Sequence, residues 1–157
     1  MSEKLSTATI AVPSRTPTVW TRRLQLFTAV ASVLTTVGTA IVLGYVTSET
    51  IQPAWPDKSP ADIDGFLLGW RAVGIIFLIA NAVGILALWD RAWIFYFMLV
   101  LNVIQGIGFL TVDRHEAGLR DLGNAGSILT DGGGGIVALV LLGFLVRYRT
   151  AWAYQRA

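Results

Sequence analysis

Arg71 is the only charged residue in the apolar run Phe66–Leu88. Ionisable groups in such runs are expensive to place, usually face other protein, and mark the positions where function should be sought. If the run is a helix that crosses a bilayer, Arg71 lies about 17 residues, or roughly 26 Å, from its inner end at 1.5 Å per residue. The same arithmetic places Asp131 and Gln105 at roughly 22 and 20 Å, so the three share one layer just under the outer headgroups. Two readings stay open. Either the guanidinium turns inward and pairs with Asp131 or Gln105, or it snorkels into the headgroup layer. Asn102 lies three residues before Gln105, on the same helical face, and Asn81 is another amide within an apolar run. Arg71, Gln105, Asn102 and Asp131 are thus the candidate polar pocket. The competing reading of the amides is interhelical hydrogen-bond glue, worth on average about 0.6 kcal/mol each.

Other chemistry is thinly represented. The chain has no cysteine and one histidine, His115. That excludes disulfides, thiolate metal sites, dithiol redox chemistry and a bis-histidine haem within one chain. His115 and Glu116 form an isolated pair. Glu49, Asp57, Asp62 and Asp64 match no EF-hand spacing and read as a solvated acidic loop. Gly132–Gly135 lacks the Gly-Lys-Ser/Thr ending of a phosphate loop, and Asp131 obstructs anion binding there. No catalytic constellation, metal site or cofactor is expected.

The elements that must position these residues are apolar. Charged residues make up 14% of the 157-residue chain and apolar ones 54%, with a mean hydropathy of +0.62; a soluble domain usually carries about 25% charged residues. A hydrocarbon core about 30 Å thick needs roughly 20 apolar residues of helix. The sequence predicts an all-α, four-transmembrane-helix bundle, two antiparallel hairpins with spans near 24–46, 66–88, 92–112 and 131–148. Residues 1–20 are expected to be a disordered cytoplasmic tail, 21–150 the membrane domain and 151–157 a cytoplasmic C-terminal tail. The first apolar stretch exceeds the roughly 7–15 residues of a signal-peptide core, and no A-x-A site follows.

Lys4, Arg15, Arg22, Arg23, Arg91, Arg147, Arg149 and Arg156 all fall on one side of such a four-span plan. The positive-inside rule makes that side cytoplasmic. Trp20, Trp89, Trp93, Tyr148, Trp152 and Tyr154 gather at the inner interface, where amphipathic rings are favoured. Asp64 and Asp131 read as N-caps of the returning helices. Thr28, Ser32, Thr35 and Thr39 form one small polar stripe; with Gly44, Gly69 and Gly84 they are the predicted helix-packing residues. The arginine-rich, Ala/Gly/Val-rich composition hints at a bacterial gene, hence a bacterial cytoplasmic membrane.

The stretch Gly69-Trp70-Arg71-Ala72-Val73-Gly74-Ile75, running on to Leu78-Ile79-Ala80 and Gly84, resembles the arginine-then-glycine helix of small DoxX-like four-helix membrane proteins. The resemblance implies a compact four-helix bundle, in some relatives linked to quinone or thiol redox systems. The absence of cysteine argues against the thiol link.

Three functions follow as expectations. The first is a non-catalytic small subunit or scaffold that packs against itself or within a larger membrane complex. The second is small-molecule binding or transport through an outward-facing pocket near Arg71. The third is an accessory subunit of a quinone-linked membrane oxidoreductase, which would have to borrow its redox centre. A basic face suited to nucleic acid is lacking, so the lipid bilayer and membrane proteins are the expected partners.

Overall fold

Helix boundaries follow the side chains that cap them. In the computed structural model, which describes residues 15–111, 130 and 132–156, Thr18 opens α1 (Val19–Tyr45). Its Oγ1 accepts the Trp20 N–H at 3.2 Å, and its own N–H donates to Thr21 Oγ1 at 2.9 Å. Such a cap is worth about 1 kcal/mol, and it starts the helix at Val19 rather than near Leu24. Thr47 caps the single turn α2 (Ser48–Ile51), and a 3₁₀ turn follows at Gln52–Ala54.

Ser59 then opens α3 (Pro60–Val83). Ser59 Oγ accepts the Asp62 N–H at 3.2 Å and donates to Asp62 Oδ2 at 2.7 Å, while Pro60 occupies the first helical position, where it gives up no useful donor. The expected cap Asp64 is therefore corrected: the helix begins before it, and its Oδ1 instead accepts Ser48 Oγ at 2.6 Å. Asp131, the other expected cap, lies outside the described residues.

α3 continues as a 3₁₀ stretch, Gly84–Trp89, and stops at Asp90, whose φ of 61° is left-handed. α4 (Ala92–Thr111) departs at once. α5 (Gly133–Tyr148) ends on Arg149, also left-handed, whose N–H donates to the Leu145 carbonyl at 2.7 Å. Val19–Tyr45, Pro60–Trp89 and Ala92–Thr111 are long and apolar enough to cross a membrane; α5 is apolar but has 16 residues.

The start of α1, the Asp90 turn and the segment after α5 meet at one end, here the base. A two-residue antiparallel pair, β1 (Arg15–Thr16) with β2 (Gln155–Arg156), joins the segment before α1 to the one after α5 there. Part of the segment expected as the C-terminal tail is packed: Ala151, Trp152 and Ala153 are buried with Leu24, Phe95 and Leu141. Trp152 meets Phe95 edge-on at 5.2 Å between ring centres. Val46, Ile51, Ile63 and Leu67 form a smaller core at the far end. The rest of the apolar surface points outward. Ile41, Ile76, Leu110, Leu139 and Val146 are 65%, 66%, 80%, 72% and 70% exposed, a coat that a monomer in water rarely carries.

Candidate functional site

Arg71 is exposed, and its Nη2 donates to the Val46 carbonyl at 3.2 Å. Val46 closes α1, where unsatisfied carbonyls give a partial negative charge that a cation complements. The guanidinium thus reaches a helix end rather than the bundle axis. Its proposed partner Asp131 lies outside the described residues.

Gln105 faces different surroundings. It is 3% exposed and its Oε1 has no hydrogen-bond partner among the described residues. It lines a cavity of about 360 Å³, walled by Thr39, Val42, Trp70, Phe77 and Ile104 among others. Neither Arg71 nor Asn102 lines this cavity. Asn102 is 2% exposed and donates Nδ2 to the Met98 carbonyl of its own helix at 2.7 Å. Asn102 and Gln105 share one neighbour, since a Cβ on Gly134 would stand 3.2 Å from Asn102 Oδ1 and 2.9 Å from Gln105 Oε1. Gln105 stands at the cavity, Arg71 at the end of α1, and Asn102 is occupied within α4. Asn81 is 1% exposed and its Nδ2 has no hydrogen-bond partner among the described residues.

Three of the four stripe residues on α1 satisfy themselves, while Ser32 Oγ is buried with no hydrogen-bond partner among the described residues. Thr28, Thr35 and Thr39 donate to Leu24, Ala31 and Thr35 carbonyls at 2.8, 2.9 and 2.8 Å, the local back-bonding open to threonine in a helix. The close seams are made by glycines. A Cβ on Gly84 would stand 1.9 Å from Ser32 Oγ and 2.6 Å from Met98 Cε. At Gly106 it would stand 2.9 Å from the Gly135 Cα, and at Gly134 2.9 Å from Gln105 Oε1. The glycine run after Asp131 thus lets α4 and α5 touch backbone to backbone. Gly44 and Gly69, expected at seams, make none within the described chain: a Cβ at either would meet none of the described residues within 4 Å. Each lies on a helix face turned away from the rest of the described chain.

Sequence reasoning missed the polar latch at the base. Asp90 accepts Gln25 Nε2 at 2.6 Å on Oδ1 and the Tyr154 hydroxyl on Oδ2. Trp152 Nε1 donates to the Arg91 carbonyl at 3.0 Å, and Thr18 Oγ1 to the Ala153 carbonyl at 2.8 Å. Burial, and then the hydrogen bond to Asp90, push the Tyr154 phenol up to about 12. Gln25, buried at the start of an apolar helix, was the available signal, since a buried amide needs a partner.

Among the described residues no three of His, Asp and Glu converge as metal ligands would; His115 and Glu116 lie outside them. Comparison with protein-family models, with curated proteins and with solved structures finds no match to this chain.

Proposed function

We propose that this chain is a four-span integral protein of a bacterial cytoplasmic membrane, with its base and both termini on the cytoplasmic side, acting as a non-catalytic subunit or scaffold. The observation that carries this reading is the open small-residue face of α3. Ala61, Gly65 and Gly69 follow one another at four-residue intervals and are all exposed, and a Cβ on either glycine would meet none of the described residues within 4 Å. Lipid gives helices no hydrophobic reason to associate, and small residues at this spacing let two backbones approach closely. This chain uses its Gly84 and Gly106 faces internally and leaves the Gly65 face for a partner helix, from a second copy or a larger complex. On this reading α5, an apolar-rich helix of 16 residues, is the fourth span. The DoxX-like resemblance fits this plan and assigns no activity to it.

The test is assembly. The chain extracted in mild detergent is expected to run as an oligomer or with a partner, and Gly65→Leu with Gly69→Leu to release it while leaving its own melting midpoint unchanged. A wild-type chain that stays strictly monomeric and alone would count against the reading.

A second reading has its own observation, the orphaned Gln105 Oε1 at an apolar cavity. Its volume is within the usual range for small-molecule sites, and its chemistry suits an apolar ligand with one hydrogen-bond donor.

A further inference from the structure

We propose that the cavity at Gln105 is entered from within the bilayer, between α3 and α4, and takes the hydroxyl end of a lipid-soluble alcohol. The inference rests on the cavity reading above and adds to it the class of ligand and its route.

Close glycine contacts hold three of the helix seams around the cavity. A Cβ on Gly74 of α3 would stand 2.5 Å from Leu43 Cδ2 of α1, and one on Gly38 of α1 3.3 Å from Thr130 Cγ2. Gly106 draws α4 against α5, where a Cβ would be 2.9 Å from the Gly135 Cα. Between α3 and α4 the walls part. Val73 and Ile104 both line the cavity, yet they are 53% and 51% exposed. One turn along, Ile76 and Ile107 are 66% and 55% exposed. Val73 and Ile104 lie well inside two helices that are long and apolar enough to cross a membrane. A mouth at that depth meets acyl chains rather than water, so what enters must already be dissolved in them.

The inner polar groups define the head of the ligand. Gln105 is 3% exposed, and its Oε1 has no hydrogen-bond partner among the described residues. Thr39 also lines the cavity, and its Oγ1 donates its proton to the Thr35 carbonyl at 2.8 Å, which leaves it acceptor lone pairs alone. Two acceptors call for a donor. A hydroxyl both donates and accepts, and the broad, two-fold terminal torsion of glutamine lets it meet either side of the Gln105 amide. An ammonium would bring a charge between Val42, Trp70 and Phe77, where an unpaired charge is costly. The cavity, about 360 Å³, holds roughly a dozen non-hydrogen atoms at about 30 Å³ each. A longer chain would trail through the mouth into lipid.

The experiment places the full chain in phosphatidylcholine nanodiscs with dodecanol carrying a photoactivatable diazirine, and maps the labelled residues by mass spectrometry. Labelling is expected at the walls, with Val73, Phe77 and Ile104 among its sites, and unlabelled dodecanol should compete with it. The isomeric undecyl methyl ether cannot donate and should compete about fivefold less well, the worth of one hydrogen bond. Gln105→Met should erase most of that difference. Gly108 is a lining residue whose Cβ would meet none of the described residues within 4 Å. Gly108→Leu should therefore fill the cavity and abolish wall labelling without lowering the melting midpoint. Val73→Trp with Ile104→Trp narrows the mouth and should slow exchange of the alcohol severalfold, read from labelling at increasing times after competitor is added.

Wall labelling that Gly108→Leu leaves undiminished places the alcohol on the outer surface and overturns the site. Equal competition by alcohol and ether overturns the hydroxyl as the recognised group, and unchanged exchange in the tryptophan variant overturns the route. Extraction of chains purified from native membranes separates the two levels. Unlabelled walls in a chain that still yields a bound compound overturn the alcohol alone. Unlabelled walls in a chain that yields none overturn the cavity reading with it.

Discussion

Tyr154 donates its hydroxyl to Asp90 across 64 positions of chain, and this contact ties the C-terminal segment to the turn between α3 and α4. The same carboxylate holds Gln25 of α1. One side chain thus joins three stretches that the connectivity alone leaves free to separate.

The latch should fail in alkali. The Tyr154 phenol ordinarily titrates near 10 and is pushed up to about 12 in the folded chain, so folding favours its neutral form. Its contribution is complete below pH 10, falls as the pH climbs toward 12, and is gone beyond that. Tyr154→Phe is expected to lower the melting midpoint at neutral pH and to flatten its decline between pH 10 and 12. In tyrosinate absorbance, wild type minus variant should isolate a phenol titrating near 12. A difference curve centred on 10 would show that the hydroxyl is not held.

Asp90 carries two roles that substitutions can separate. Its φ of 61° is poorly tolerated by residues other than glycine, asparagine and aspartate. Asp90→Asn keeps the backbone preference and weakens the hydrogen bonds, with an expected cost of about 1–2 kcal/mol. Asp90→Ala loses both and should cost about 2–4 kcal/mol. Denaturant unfolding in detergent ranks the two. Equal costs would mean that the left-handed turn contributes nothing.

The glycines divide into two classes with opposite expected responses. Gly84→Ala must displace the short Ser32 side chain, whose Cβ would be 2.8 Å away, and Gly106→Ala must push back the α5 backbone. Overpacking of this kind typically costs about 1–3 kcal/mol. Gly69→Ala enters open space and should leave the isolated chain's stability unchanged or slightly higher, since alanine suits helices better. Thermal melts of the three variants check this. A Gly84→Ala chain as stable as wild type would contradict the seam.

The apolar helices were legible because hydropathy over some twenty residues is a strong signal. Their starts were legible in principle: Thr18 with Thr21 and Ser59 with Asp62 are short local motifs, but the apolar run drew the expected boundaries inward. The far-end acids gave Asp64 as a cap because it adjoins the hydrophobic run, whereas Ser59-Pro60 offers the better geometry. Which glycines touch was not legible. Gly69 and Gly84 sit in similar small-residue spacings, and only the crossing of α1 over the end of α3 decides between them. The latch depends on Trp152 and Ala153 adopting left-handed φ values of 56°, which nothing in the local sequence Ala151–Tyr154 announces. Arg71 was legible as a special residue but not its acceptor, because a backbone carbonyl at a helix end leaves no mark in the sequence.

Gln105 is where stability and function should part. A buried carbonyl oxygen without a donor costs about 1–3 kcal/mol, and Gln105 Oε1 is in that position beside Gly134. Replacing it with methionine keeps length and flexibility and removes the polar group. Gln105→Met is therefore expected to raise the stability of the isolated chain by about 1–2 kcal/mol. If the cavity holds an apolar molecule that donates one hydrogen bond to this oxygen, the variant should lose it. Solvent extraction of chains purified from native membranes, followed by mass spectrometry, would then find a compound with wild type that is missing from the variant. A variant less stable than wild type would show that the amide is already satisfied, and the cavity would lose the unsatisfied polar group that distinguishes it from a packing gap.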